Sequence, residues 1–228
     1  MALKTKIVYV IVAAVAMSGG FWMSSIQESG INLSTDSAKE KALAAARKNY
    51  SPIQGSILSP ARKIAVPALT KDDGTTFTLD DLKGEWHLLF FGYTHCPDIC
   101  PVTMGVAAQA KKIAIANNHM FPQVVFISVD PERDKVEMLA DYVQYFDKDF
   151  IGVTGDSLLI NALTLQMSVV YMKMDAQEGS EDYLVDHSSA LLLLNPEGKL
   201  VAFLNAPHDP KTILKDFQTV VNASLFEK

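Results

Sequence analysis

Cysteine is scarce in this chain: 228 residues contain two, Cys96 and Cys100. Two thiolates are an incomplete metal site, so any bound metal needs a further ligand from elsewhere in the sequence. No basic patch or block of like charge accompanies the net charge of −6, which argues against nucleic acid as a partner. No internal repeat is present, which argues against a repeat array. Charge is missing altogether from Ile7 to Met23. With 49% hydrophobic and 20% charged residues at this length, the chain can hold one well-buried domain plus attachments.

Lys4 and Lys6 precede the uncharged run. Positive residues stay in the cytoplasm, so a signal-anchor over residues 1–23 puts everything after Met23 across the membrane. The run is at the short end of a spanning helix. Ala14-Val15-Ala16 resembles a small-residue cleavage site, and a removed signal peptide is the alternative, although cleavage there leaves only Ile7 to Ala13 as its apolar core. Either reading exports the domain to an oxidising compartment. Residues 24–60 read as a tether. Ser37-Ala38-Lys39-Glu40 is a capping-box pattern opening a short Ala-rich helix, and Gly55 and Pro60 predict an irregular stretch after it.

Residues 61–228 read as the folded domain. Lys63 to Thr70 and Thr75 to Leu79 predict a hairpin around Asp72-Asp73-Gly74. Trp86 to Phe91 and Val124 to Val129 are unbroken apolar runs, and each is followed by a helical pattern: Val102 to Ala116 and Asp134 to Phe146. A short strand at Ile151 to Val153 precedes a helix capped by Asp156. After a polar excursion over 175–182, Ser188 to Leu194 reads as a third buried strand. Asn195-Pro196-Glu197-Gly198 turns it back into Leu200 to Leu204, and Pro210 opens the last helix. Apolar strands alternating with helices predict an α/β sheet covered on both faces. A cysteine pair after the first central strand, with a late antiparallel hairpin, predicts the thioredoxin fold with an added N-terminal hairpin.

The cysteines lie between Gly92 and Pro101, on a strand-to-helix turn. Unpaired backbone N–H groups and a helix dipole there favour thiolate, the form that attacks disulfides and binds soft metals. The C-x3-C spacing makes the two sulfurs i, i+4 neighbours if the helix starts early. A structural disulfide is the plain alternative, although so short a loop gains little from closure. Of the five histidines, His119 and His208 read as surface residues and His87 as a packed strand residue, while His95 adjoins Cys96. His187 ends the polar excursion just before a buried strand, at a point that can share an end of the sheet with the cysteines. An ordinary loop histidine is the competing reading, and Asp186 is a candidate to orient its ring.

The stretches Phe91-Gly92-Tyr93-Thr94-His95-Cys96-Pro97-Asp98-Ile99-Cys100-Pro101, Phe126-Ile127-Ser128-Val129-Asp130-Pro131-Glu132-Arg133-Asp134 and Asp182-Tyr183-Leu184-Val185-Asp186-His187-Ser188 closely resemble the Sco/SenC family. Members are membrane-anchored, thioredoxin-like copper proteins that assist assembly of cytochrome c oxidase. The resemblance implies that Cys96, Cys100 and His187 are metal ligands and that copper, Cu(I) or Cu(II), is the metal. It further implies a copper-site subunit of cytochrome c oxidase as partner and a bacterial inner membrane, with the domain in the periplasm, as the location. Asp130 and Asp98 match family positions without an assigned role. Two thiolates and an imidazole suit copper better than calcium or magnesium, with zinc the likeliest wrong metal. The alternative function is an enzyme, a thiol–disulfide oxidoreductase using Cys96 and Cys100 as a redox pair. Against it, no proline occurs between Pro131 and Pro196 to act as the cis-proline of exchange enzymes. Peroxide reduction is weaker still, since no arginine lies close to either cysteine in sequence.

Overall fold

A computed structural model describes residues 53–174 and 183–224 of the chain. The anchor and the helix expected near Ser37 lie outside the described residues. Among the described residues no helix is long and apolar enough to cross a membrane.

Ten strands and four α-helices are described: β1 Gly55–Arg62, β2 Leu69–Lys71, β3 Thr76–Phe77, β4 His87–Gly92, α1 Ile99–Ala116, β5 Gln123–Ser128, α2 Val136–Phe146, β6 Ile151–Thr154, α3 Ser157–Gln166, β7 Tyr171–Lys173, β8 Val185–His187, β9 Leu191–Leu194, β10 Leu200–Leu204 and α4 Pro210–Ser224. Eight strands form one sheet in the order β1-β10-β9-β4-β5-β6-β2-β3. Its centre, β4-β5-β6, is parallel, and β9 and β10 continue it antiparallel. This is the thioredoxin-like arrangement. Every residue of β4 is buried, so side chains pointing to both faces are covered, as a central parallel strand requires.

The hairpin after Lys63 is shorter than its pattern suggests. Only Leu69–Lys71 and Thr76–Phe77 pair, and β2 attaches this hairpin to β6. Gly74 takes the left-handed φ of +81° that its turn needs. Thr78 then caps a 3-10 turn, Leu79–Leu82, in which Asp81 bonds back to the Thr78 N–H.

A correction concerns Gly55 to Pro60, placed in the tether as irregular chain but continuous with Ala61 and Arg62 in one strand. These residues form β1 and close the β10 edge. Gly55 is needed there because a Cβ would stand 1.8 Å from the Phe203 carbonyl oxygen. Pro60 falls in the irregularity between Ile57 and Arg62, where no ladder N–H is required. The buried Asp216 carboxylate accepts the Gln54 N–H at 2.8 Å and fixes the approach to this strand.

Candidate metal centre

Helix α1 begins at Ile99, with Asp98 as N-cap, so Cys100 sits inside the first turn and not on the cap. Its backbone N–H is one of the donors that a helix start leaves unpaired, and it points to Cys96 Sγ at 3.5 Å. The loop folds back further through the Cys96 N–H, which donates to the Tyr93 carbonyl. Cys96 is half-buried, Cys100 fully buried, and both are free thiols. Behind Cys100 the wall is backbone and ring: a Cβ on Gly92 would lie 2.8 Å from Cys100 Sγ and 2.9 Å from Phe126. The strand therefore has to end in glycine for the sulfur to fit.

His187 reaches the same place from another element. It is the last residue of β8, which pairs only with β7, as a separate two-stranded ribbon. The expected strand Ser188 to Leu194 is shortened to Leu191–Leu194, and Ser188 instead donates its N–H to Val170. The imidazole stands edge-on to Phe90 and Tyr93, with ring centroids 5.9 Å away in each case. Its Nδ1 is 3.0 Å from the Ser188 carbonyl, which can only accept, so Nδ1 carries the proton. Nε2 is left with a lone pair, 3.1 Å from Cys100 Sγ. Asp186, expected to orient the ring, is exposed, and a backbone carbonyl does that work. The Cys96, Cys100 and His187 ligand atoms all lie within 4.8 Å of one another, the one such cluster among the described residues.

The two sulfurs titrate apart. Cys96 is pushed down to about 4, first by the hydrogen bond from the Cys100 thiol and then by the backbone N–H groups of Asp98 and Cys100, against the opposing effect of burial. Cys100 goes up, because it donates to the Cys96 thiolate and because it is buried. At neutral pH the pair holds one negative charge and one shared proton. The donor set offered is soft sulfur plus a correctly tautomerised imidazole, which fits copper and leaves hard cations poorly served.

The remaining histidines are elsewhere engaged. His87 is buried against the Glu85 carbonyl, His119 meets Gln218, and His208 lies 2.8 Å from the Ser189 carbonyl. His95 faces Thr94 Oγ1 and Asp134. Met172 and Met174 are exposed.

Two acidic residues do more than sequence reasoning assigned them. Asp134, expected to open a helix, lies before α2 and is fully buried. It accepts from the Thr94 N–H at 2.9 Å, the Thr94 hydroxyl at 2.6 Å and the Ser128 hydroxyl at 2.6 Å, pinning the start of the cysteine loop. Asp130, also fully buried, accepts from Arg133 Nε and from the Tyr183 hydroxyl. Their sole signal in the sequence was membership of the Asp130-Pro131-Glu132-Arg133-Asp134 run.

Comparison with known proteins agrees with the geometry. Residues 61–222 match the SCO1/SenC family model. The chain is 42% identical over 142 residues to the mitochondrial protein SCO1 homolog 1 of Arabidopsis thaliana, covering 62% of this chain and 42% of that protein. It thus spans less than half the length of that relative. It is 34% identical over 148 residues to an SCO2-like protein of Rickettsia felis, covering 64% of this chain and 71% of that one. The crystal structure of Arabidopsis thaliana ScoI with copper bound is similar with a TM-score of 0.64 at 38% identity, over 71% of this chain and 99% of that one.

Proposed function

The chain belongs to the SCO1/SenC family, and we propose that it is a copper metallochaperone for cytochrome c oxidase. It binds copper through Cys96, Cys100 and His187 and delivers it to the dinuclear copper centre of the oxidase during assembly. One observation carries this reading: His187 Nε2 stands 3.1 Å from the buried Cys100 sulfur, and all three ligand atoms lie within 4.8 Å of one another. Metal entry through both sulfurs has to expel the one proton that the pair shares, so uptake should weaken as pH falls. Lys4 and Lys6 before the uncharged run from Ile7 to Met23 support an uncleaved anchor in a bacterial inner membrane, with the domain on the periplasmic side. There it faces a membrane-bound acceptor.

Anaerobic titration of the reduced protein with copper tests the reading. One equivalent should bind, with thiolate-to-Cu(II) charge-transfer absorption. Cys96→Ala, Cys100→Ala and His187→Ala should each weaken binding by at least about tenfold. Unchanged affinity in Cys96→Ala or His187→Ala refutes it.

The low Cys96 value favours a second activity, reduction of a disulfide on the acceptor subunit. The Cys96 thiolate attacks one sulfur and expels the other as thiolate. Cys100 then loses its proton and attacks Cys96, releasing the acceptor's second thiolate and leaving Cys96–Cys100 oxidised by two electrons. Faster disulfide turnover by metal-free protein than copper transfer by loaded protein would rank this activity first.

A further inference from the structure

The imidazole and the sulfurs are carried on parts of the fold that share no ladder. The sulfurs follow β4 of the large sheet, whereas His187 ends a ribbon that pairs with nothing but itself. Yet the 3.1 Å separation requires the ribbon to sit at one height over β4. The Ser188 N–H donates to Val170 at the foot of the ribbon, Met174 donates to Leu184 within it, and the Val185 backbone meets the Tyr93 hydroxyl. Something besides the ladder has to hold it.

The loop between β5 and α2 supplies that hold. The Tyr183 hydroxyl donates to Asp130 Oδ1 at 2.7 Å, and the Arg133 guanidinium stacks 3.7 Å from the centre of the same ring. Arg133 also bonds Asp130 and lies 5.6 Å from the Tyr93 ring, the ring that His187 meets as well. On β7, Lys173 pairs with Glu132 at 2.8 Å and lies 3.8 Å from Asp130. Asp130 is wholly buried, so a charge there has to be met by partners, and two of them, Tyr183 and Lys173, come from the ribbon side. The next residue of the loop, Asp134, pins the cysteine loop through Thr94. Four residues of this one loop, Asp130, Glu132, Arg133 and Asp134, thus grip both halves of the site.

We propose that Tyr183 is a positioning residue: through Asp130 and Arg133 it clasps the β7–β8 ribbon and sets the reach of His187 Nε2 to the sulfur pair. The inference rests on the metal-binding reading above. Tyr183 touches no reacting atom and acts through the ribbon. Loosening the clasp lowers the fraction of molecules with the imidazole in place, and apparent copper affinity falls in proportion.

The test uses Tyr183→Phe, which keeps the ring and removes only the hydroxyl bonded to Asp130. A hydrogen bond to a carboxylate is strong enough that Cu(II) binding, measured by competition with a chelator, should weaken by about tenfold. Amide exchange of Met174 and Ser188 in the metal-free protein should quicken by about the same factor, with β4 and β9 unchanged. Arg133→Met should act likewise, and Arg133→Lys should not restore wild-type behaviour, since lysine loses the planar stack. In a His187→Ala background, Tyr183→Phe should cost no further copper affinity. The clasp is overturned if Tyr183→Phe leaves both exchange and affinity at wild-type values, or if it weakens copper equally with and without His187. The metal reading fails by a separate result, wild-type affinity in His187→Ala alone, and amide exchange then still decides the clasp.

Discussion

Cys96 and Cys100 share a loop and a proton but not an environment. The outer sulfur gathers N–H donors from the helix start, while the inner one is walled by Gly92 and Phe126. A thiol whose folded-state value is depressed adds stability in full above its unfolded value of about 8.5, and that stability is lost as pH falls toward the folded value. The folded value of Cys96 is about 4, so the reduced metal-free domain should gain thermal stability from Cys96 as pH rises from about 4 to about 8.5. Cys100, shifted upward, contributes the opposite slope only above that window. Melting curves should show a shallower pH dependence for Cys96→Ser than for wild type across the window. Iodoacetamide should label Cys96 near neutral pH, with Cys100 spared; preferential labelling of Cys100 would contradict the assignment.

At the scale of elements, the site is a meeting of three pieces: the β4–α1 loop, the β5–α2 loop and the β7–β8 ribbon. Asp134 joins the first two, and removing it strands the Thr94 N–H and the Ser128 hydroxyl. Asp134→Ala should cost about 2–4 kcal/mol of stability. Urea unfolding measures it, and a loss under about 0.5 kcal/mol would show that the carboxylate is not the fastener described. This fastening is also where sequence reading stops. Cys96 and Cys100 were legible because an apolar run, Gly92 and Pro101 bracket them with local signals. His187 was legible as a candidate from its place before a buried strand, and the Sco/SenC resemblance singled it out. Asp134 reads locally as a helix opener, yet its carboxylate reaches back 40 residues to Thr94. Tyr183 reaches 53 residues back to Asp130. Periodicity and capping rules carry no information about such distant acceptors, and Asp186 was preferred for the ring because adjacency is all a sequence displays.

For the molecule as a whole, the revised N-terminal edge of the sheet matters most. Gly55 and Pro60 are strand breakers by composition, and they hid β1. In the fold one answers a close approach to Phe203 and the other falls in a bulge. β1 covers the backbone of β10, which otherwise presents an open edge to other molecules. A chain starting at Ser51 should therefore stay monomeric and fold cooperatively. One starting at Lys63 should melt lower and associate, as sedimentation and calorimetry will show. Equal melting points and equal monodispersity would mean that β1 is dispensable. The opposite end of the design has a consequence of its own. The inner sulfur is walled by strand and ring, whereas the outer one is half exposed, so access to the pair is unequal. An incoming thiolate should meet the outer sulfur first. Were copper handed over as proposed, occlusion would order the exchanges, with the inner sulfur the last to let go.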